Sequence, residues 1–290
     1  MIELDPLILG DNQFFGINHM SQEKAQQLAE RFNDLSAVYN AYHTAHALGI
    51  HAFMLNSNDK AAPICDYLRD HRSEFPGLVL YPSIPYPHKY ANLVAEQGIL
   101  GAIQTALAGS SAMDLLGLAG KGLAVLGGDL TRILCMLVDV EMKIYRKLDF
   151  KAVYLQNILT DLVLGLEFKD VFVAYCEHIE KKYRATPGFL TMNVPRLAAF
   201  LASCGITNAT ICGSVNKIGY LMSPGKAEYE AYFSGPRRYP ITAMSILASG
   251  AIPAAEAVEY VKAQDIGSIV FGASTRAHMQ ATLELVKRAR

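Results

Sequence analysis

The sequence of 290 residues predicts an α/β fold, a TIM (β/α)8 barrel that forms a single domain over residues 1–290. Eight short apolar runs rich in Val, Ile and Leu alternate with longer amphipathic stretches, as the strands and helices of this barrel do. The runs are continuously apolar, which is typical of strands that are buried on both faces. A doubly wound open sheet is the competing architecture, but "GDNQFFG" after the first run lacks the GxGxxG spacing of its dinucleotide-binding turn.

The predicted strands are apolar runs followed by polar residues or glycine. A long amphipathic stretch at 21–50 separates the first two runs, and Ser21 followed by Glu23 is typical of a helix start. Further helices are predicted between later runs and after the last one, and Pro195 stands near the first turn of one of them, where proline is tolerated. The eight runs lie at 6–12, 51–59, 77–86, 151–158, 187–193, 208–219, 239–250 and 266–275.

The alternation stops between the third and fourth runs. Residues 87–150 contain only helix-like sequence, which is more than one connecting helix needs. We therefore predict an extra helical segment after the third strand, inserted within the barrel domain. An interface between copies in a homo-oligomer is a further role that this segment could have.

The composition is that of a globular protein with a well-buried core. Hydrophobic residues make up 51% of the chain and charged residues 18%, and the formal net charge is −1. The chain therefore lacks the basic stripe of a nucleic-acid-binding protein. Its longest uncharged stretch, 97–113, is too short and too polar to span a bilayer. Five cysteines without a CxxC pair, and an acidic start where a signal peptide needs basic residues, favour free thiols and a cytoplasmic location.

Polar side chains follow every predicted strand. Active sites of TIM barrels lie at the carboxyl ends of the strands, so these residues predict a binding site at one mouth of the barrel. Amides dominate the set, and they both donate and accept hydrogen bonds, which suits neutral polyols or sugars. Each amide could instead cap a helix or bind loop backbone. The predicted substrate-binding residues are Asn12, Gln13, Asn56, Asp59, Ser83, His88, Gln156, Asn157, Asn193, Asn216 and Ser245.

Two further residues near strand ends are candidates for catalysis. Asp11 follows the first strand and is a candidate base. Lys217 follows the sixth strand and could form a Schiff base if desolvation lowers its pKa, although a lysine in a surface loop is the competing interpretation. No HxH, HExxH or carboxylate cluster stands at the strand ends, so the sequence predicts no metal site.

The turn after the eighth run has the features of a phosphate-binding turn. The seventh and eighth loops of TIM barrels often bind phosphate at a helix N-terminus. Glycine here permits close backbone approach, and hydroxyl residues and an arginine can donate to an anion. Ser274 or Thr275 could also simply cap the last helix. The predicted phosphate- or cofactor-binding residues are Gly272, Ala273, Ser274, Thr275 and Arg276.

Residues 241–285 carry a resemblance to a known family. The segment "ITAMSILASGAIPAAEAVEYVKAQDIGSIVFGASTRAHMQATLEL" contains a strand, a Leu-Ala-rich turn, a helix with a tyrosine, and a strand that ends in a Gly-Ser-type turn. In this order it resembles the aldo-keto reductase superfamily, of which the chain looks like a divergent member with the same barrel fold. The resemblance implies that residues 272–276 would hold the phosphates of NADPH.

The catalytic residues of that family are not matched. Aldo-keto reductases use a tyrosine acid that a lysine, an aspartate and a histidine tune. The resemblance places the aspartate, lysine and histidine at the ends of strands two, three and four, where this chain has Asn56, Ser83 and Gln156. The tyrosine position falls in "NDKAAPI". The tetrad is therefore absent, and Tyr86 is a candidate substitute proton donor.

Three functions remain open at this stage. The first is a non-redox enzyme, of lyase or isomerase type, that acts on a polar, sugar-like metabolite with or without a phosphate. The second is an NADPH-dependent carbonyl reductase with a rebuilt proton donor, and NADPH is the one cofactor that the resemblance implies. The third is a non-catalytic barrel that binds a metabolite or scaffolds partners, although a pure scaffold would not need an amide-rich mouth.

Overall fold

Eight parallel strands close into a barrel in sequence order, which confirms the predicted fold class. The computed structural model describes residues 2–16, 22–86 and 130–288. Each strand overlaps the apolar run that predicted it, and β1 pairs with β8 to close the barrel. The strands are β1 (Leu7–Leu9), β2 (Ala52–Asn56), β3 (Val79–Ile84), β4 (Ala152–Leu155), β5 (Thr186–Thr191), β6 (Thr210–Ser214), β7 (Ile241–Met244) and β8 (Ser268–Phe271).

Successive side chains of each strand point to opposite faces of the sheet, and both faces are buried. Side chains such as Ile8, Met54 and Tyr154 form the cluster inside the barrel. Their sequence neighbours, such as Leu9 and Phe53, belong to the larger core with the surrounding helices. Apolar residues are therefore needed on both faces, which is why the strands are continuous apolar runs.

Helices surround the barrel between the strands. A 3-10 turn (Asn12–Phe15) follows β1, and a π-helix (Ile179–Tyr183) precedes β5. The α-helices of the described residues are α1 (Gln22–Arg31), α2 (Leu35–Ala47), α3 (Ala61–Asp70), α4 (Leu130–Met142), α5 (Asn157–Gly165), α6 (Lys169–His178), α7 (Val194–Ser203), α8 (Lys226–Ser234), α9 (Ala254–Ala263) and α10 (Arg276–Arg288).

The helices differ from the sequence expectation at three places in the chain. The stretch at 21–50 forms two helices, because the Asp34 carboxylate accepts a hydrogen bond from the N–H of Ser36 at 3.0 Å and so begins α2 separately. Helix α5 was not predicted, because "NILTDLVLG" is largely apolar and resembles a continuation of the strand before it. Helix α8 was not predicted, because its apolar residues are not concentrated on one side.

The predicted helical segment at 87–150 is described only in part. Residues 87–129 lie outside the described residues. Helix α4 connects β3 to β4, and a short 3-10 turn (Lys143–Tyr145) follows it. The described part of the segment therefore contains the one helix that any (β/α)8 barrel has at this position.

The structure also shows the state of the cysteines and the character of the helices. All five cysteines are free, in agreement with the sequence expectation. None of the helices in the described ranges has both the length and the apolar character needed to cross a membrane.

Tyr154 on β4 fills much of the barrel interior. Its hydroxyl group lies 3.3 Å from the Thr210 hydroxyl oxygen, and its ring lies against Gly188 on the neighbouring strand β5. A Cβ atom at Gly188 would lie only 2.6 Å from a ring carbon of Tyr154. Glycine at this position therefore leaves the space that the ring occupies.

We expect Gly188→Ala to lower the free energy of unfolding by about 1–3 kcal/mol, because the added methyl group overlaps a ring in a packed interior. Gly267→Ala is the matched control, since a Cβ atom there meets nothing within 4 Å. We expect the control to change stability by less than about 0.5 kcal/mol. Urea unfolding measures both variants, and equal stability of the two would contradict this packing.

Candidate functional site

Four strand ends are linked at one side of the barrel mouth. One carboxylate oxygen of Asp11, which follows β1, accepts a hydrogen bond from the backbone N–H of Asn56 at 2.6 Å. Asn56 ends β2 and pairs in register with Ser83 of β3. Gln156, directly after β4, donates from its side-chain amide to the backbone oxygen of Ser83 at 3.2 Å. We call Asp11, Asn56, Ser83 and Gln156 the mouth cluster, and all four are predicted site residues.

The Asp11 carboxyl group is buried, with 6% of the residue exposed. Burial disfavours the charged form and raises the pKa of Asp11 from its ordinary 3.8 to about 7. The N–H of Asn56 favours the carboxylate and lowers the pKa, but it does not offset the burial. Near neutral pH the group therefore exists in both its acid and its base form, which suits an acid–base catalyst.

Buried aromatic side chains lie close to Asp11 in the fold. The N–H of Phe14, in the turn after β1, donates to the backbone oxygen of Asp11 at 2.8 Å. The Phe14 ring packs edge-on against Phe32 and Tyr42, with ring centroids 4.9 and 5.4 Å away. Tyr42 is itself close enough to Asp11 for the carboxylate charge to raise its pKa, after the larger effect of burial. Two buried aromatic residues, Phe14 and Tyr42, therefore lie near Asp11.

The loop after β2 is held by its own side chains. The Asn56 side-chain oxygen accepts hydrogen bonds from the N–H and the side-chain amide of Asn58, at 3.1 and 2.6 Å. The Asn58 oxygen in turn accepts from the N–H of Lys60 at 2.8 Å, directly before α3. Asp59 lies exposed in this loop. The Asn56 oxygen is thus engaged in the loop.

Tyr86 enters the same region from the end of β3. Its backbone N–H donates to the hydroxyl oxygen of Ser57 at 3.1 Å. Its pKa is raised from the ordinary value of 10.0, first by burial and then by the negative charges of Asp11 and Asp59. A phenol tuned for proton donation needs a lowered pKa, so these neighbours act in the opposite direction.

The other predicted site residues of the first half of the barrel are not part of the mouth cluster. Asn12 is exposed, and Asn157 is partly buried as the first residue of α5. Gln13 is buried, and its side-chain amide donates to the backbone oxygen of Gly10 at 2.6 Å. His88 lies outside the described residues.

The side chains of Asn193 and Asn216 bind nearby backbone, and Ser245 after β7 takes part through its backbone oxygen. The Asn193 side chain caps α7 by accepting from the N–H of Arg196 at 3.2 Å. Asn216 is fully buried, and its amide donates to the backbone oxygens of Tyr220 and Ser245, at 2.8 and 3.4 Å. The geometry of Asn193 and Asn216 therefore matches the competing interpretation, in which polar side chains bind loop backbone.

We expect Asn193→Ala to lower the free energy of unfolding by about 0.5–2 kcal/mol, because it removes the side chain that caps α7. Asn193→Ser keeps a capping oxygen and should retain most of the stability. Thermal and urea unfolding compare the two variants. An alanine variant as stable as the serine variant would contradict the capping role.

The geometry of Lys217 does not support its predicted role in catalysis. Its ammonium group lies 2.9 Å from a carboxylate oxygen of Glu256, and both side chains are about half exposed. The hydrogen bond from Lys217 to Glu256 and the charge of that carboxylate raise the pKa of Lys217. A Schiff-base lysine needs a lowered pKa, which desolvation would have to provide. The surroundings favour the alternative of a lysine in a surface loop.

The turn between β8 and α10 carries the predicted anion-binding residues. The Thr275 hydroxyl oxygen accepts from the N–H of His278 at 3.2 Å and caps α10. Gly272 and Arg276 are exposed, Ser274 is partly buried and Ala273 is buried. The cap engages the Thr275 oxygen, while the Ser274 hydroxyl and the Arg276 guanidinium remain donors at the start of a 13-residue helix.

One buried carboxylate near the strand ends was not selected from the sequence. Asp161 of α5 accepts hydrogen bonds from the Thr191 hydroxyl and from the N–H of Met192. Burial raises its pKa above the ordinary 3.8, and these two donors oppose that rise. Asp161 is one of the polar residues that follow the fourth apolar run, but its place beside the end of β5 could not be foreseen because α5 was not predicted. Both carboxylate oxygens have protein donors, so Asp161 ties α5 to the end of β5.

Within residues 2–16, 22–86 and 130–288, no group of three or more His, Cys, Asp or Glu side chains is placed to hold a metal ion.

The structure is similar to solved aldo-keto reductase structures over almost its whole length. A protein assigned as an aldo-keto reductase from Pseudomonas aeruginosa has a TM-score of 0.61 at 14% identity, over 99% of this chain and 92% of that chain. MGS-M4, an aldo-keto reductase from a Medee basin deep-sea metagenome library, has 0.56 at 9% identity, over 100% and 92%. An aldo-keto reductase from Brucella melitensis has 0.51 at 10% identity, over 97% and 88%.

Comparison of the sequence with protein families and curated proteins identifies no relative. No protein-family profile matches the chain, and no curated protein matches it significantly. At these identities the structural likeness concerns the fold alone. The chain is therefore an aldo-keto reductase-like TIM barrel in fold, as the resemblance of its last two strands implies.

Proposed function

We propose that this chain is a non-redox enzyme, of lyase or isomerase type, that acts on a small, polar, sugar-like metabolite at the barrel mouth. The observation that carries the proposal is the buried carboxyl group of Asp11, whose pKa of about 7 allows proton uptake and release near neutral pH. It follows β1, at the end of the barrel where TIM-barrel enzymes carry their chemistry. A scaffold would gain nothing from a buried carboxyl group here, so the scaffold alternative is less well supported.

The substrate class follows from the neighbouring groups. The mouth cluster and its surroundings offer amides and hydroxyls, which match the hydroxyl groups of a polyol or sugar. The turn at 272–276 offers Ser274 and Arg276 at a helix N-terminus, which would suit a phosphate or another anionic end. Five free cysteines fit a reducing, cytoplasmic setting.

The reaction that these groups serve best is proton transfer next to a carbonyl group. The Asp11 carboxylate takes the proton, the C–H bond breaks, and its electron pair forms an enediolate. The side-chain nitrogen of Gln156 has two N–H groups, and the one not bonded to Ser83 can donate to the enediolate oxygen. An isomerisation is complete when the hydroxyl proton of the enediolate moves to the former carbonyl oxygen and Asp11 returns its proton to the former carbonyl carbon. An elimination is complete when the electron pair instead expels a leaving group from the carbon on the other side of the deprotonated carbon.

Exchange of carbon-bound protons for deuterium tests this function across a whole class of substrates at once. We expect at least one member of a panel of aldose and ketose phosphates to lose a proton signal beside its carbonyl group in D2O with the enzyme present. Proton NMR follows the loss. Absence of exchange and of product across the panel would contradict the proposed reaction type.

A carbonyl reductase is the second candidate, because the fold matches that of solved aldo-keto reductases. The donors at 272–276 fit an anionic cofactor end, and NADPH would supply a hydride when bound. The acid form of Asp11 would then give its proton to the carbonyl oxygen, which replaces the missing tyrosine acid more effectively than Tyr86 does.

Fluorescence titration with NADPH separates the two candidates. Micromolar binding together with NADPH oxidation by an aldehyde panel would overturn the non-redox proposal and establish the reductase. The non-redox proposal expects no NADPH oxidation, whichever aldehyde is added.

A further inference from the structure

One side-chain oxygen at the mouth is buried without a hydrogen-bond partner. Gln13 is 6% exposed, and its side-chain nitrogen donates to the backbone oxygen of Gly10 at 2.6 Å. Its side-chain oxygen Oε1 has no partner. A buried acceptor without a partner is unfavourable and uncommon in folded proteins, so this atom needs an explanation.

The orientation of the Gln13 amide is fixed by its surroundings. Rotating the amide by 180° would place Oε1 against the Gly10 backbone oxygen, and two acceptors would then face each other. The nitrogen therefore stays on Gly10. Oε1 is directed towards Gly272, the residue after β8.

Gly272 is glycine because of this contact and not because of its backbone. Its φ angle lies outside the left-handed region, so other residues could adopt its conformation. A Cβ atom at Gly272 would lie 2.8 Å from Gln13 Oε1, and apart from chain neighbours that amide is all that it would meet within 4 Å. Glycine at position 272 thus leaves room for the unpaired oxygen of Gln13, and Gly272 itself is exposed.

We propose that Gln13 Oε1 and Gly272 form a specificity subsite that accepts a hydrogen bond from a hydroxyl group of the ligand. The inference rests on the proposed function, since it concerns the same mouth and the same anionic ligand. Gly272 begins the turn that leads to α10, so the hydroxyl group lies close to the anionic end. The ligand class is a phosphate ester whose carbon chain bears a hydroxyl near the phosphate.

Three probes isolate the hydroxyl group from the anion. Glycerol 3-phosphate carries both, propyl phosphate carries the same carbon skeleton without hydroxyls, and inorganic phosphate carries the anion alone. Isothermal titration calorimetry gives their affinities for the wild type, Gln13→Met, Gly272→Ala and the control Gly267→Ala. Gln13→Met removes the acceptor, while Gly272→Ala keeps the amide and fills the space beside it.

We expect the wild type and the control to prefer glycerol 3-phosphate over propyl phosphate by about tenfold. The preference should fall to about twofold or less in Gly272→Ala and Gln13→Met, because the affinity for glycerol 3-phosphate drops towards that for propyl phosphate. Gly272→Ala decides the result if Gln13→Met does not fold. A wild type without the preference, or variants that keep it, would overturn the subsite alone. No binding of any probe to the wild type would remove the anionic ligand of the proposed function, and the subsite with it.

Discussion

Replacement of Asp11 with asparagine is expected to lower the rate of the catalysed reaction at least 100-fold. Asparagine has nearly the same shape and keeps an oxygen that can accept from the N–H of Asn56. It cannot take up or release a proton, so only the acid–base function is lost. The rate is measured by proton NMR on the substrate that the deuterium-exchange panel identifies.

Asp161→Asn is the matched control for this variant. Asp161 is also a largely buried carboxylate with a raised pKa, and asparagine there keeps an acceptor for the N–H of Met192. We expect this control to keep its rate within about threefold of the wild type, because both carboxylate oxygens of Asp161 bind donors at the end of β5. Equal losses in both variants would show that the effect of Asp11 on the rate is structural.

The pH dependence of the rate distinguishes the two chemical roles of Asp11. If Asp11 acts as the base, the rate of the first irreversible step rises with pH through about 7, as the carboxylate forms. In the reductase alternative Asp11 acts as the acid, and the rate falls with pH through the same range. A rate independent of pH between 5 and 9 would exclude both roles.

The same substitution is expected to stabilise the fold at high pH. The folded protein holds the Asp11 proton up to about pH 7, whereas the unfolded chain releases it near 3.8, so wild-type stability falls as the pH rises between these values. Above pH 7 the folded state carries a buried charge that Asp11→Asn removes. We expect the variant to be more stable than the wild type by about 2–4 kcal/mol at pH 8, and nearly equal to it at pH 3.5.

Urea unfolding across the pH range measures this difference. Asp66→Asn provides the control, because Asp66 is an exposed carboxylate on α3 in an ion pair with Arg69. Its effect on stability should stay within about 0.5 kcal/mol at every pH. An Asp11→Asn variant that is less stable than the wild type at pH 8 would mean that the carboxylate stabilises the fold. Higher stability combined with lost activity is instead typical of a functional group that the fold tolerates at a cost.

The strands could be predicted from the sequence because burial on both faces demands continuous apolar residues. Helix α5 escaped prediction for the same reason, since a largely apolar helix has no polar side to give it a period. The division between α1 and α2 depends on one capping carboxylate, that of Asp34, which a long amphipathic pattern conceals.

The site could be predicted in part because polar residues at strand ends converge in a barrel. Asp11 and Gln156 were selected by position alone, and the structure links both to the same arc of strand ends. Sequence position does not distinguish an amide that faces the mouth from one that binds local backbone, as Asn193 and Asn216 do. The partner of Lys217 lies 39 residues further along the chain, beyond any local pattern.

The most direct test of the proposed function is the pKa of Asp11 itself. Carbon-13 NMR of the aspartate carboxyl groups, assigned by comparison with Asp11→Asn, follows its titration in the folded protein. A midpoint near 7 is expected, because burial outweighs the hydrogen bonds that stabilise the charged form. A midpoint near the ordinary 3.8 would mean that Asp11 is fully ionised at neutral pH and would contradict its role as the acid–base group of this barrel.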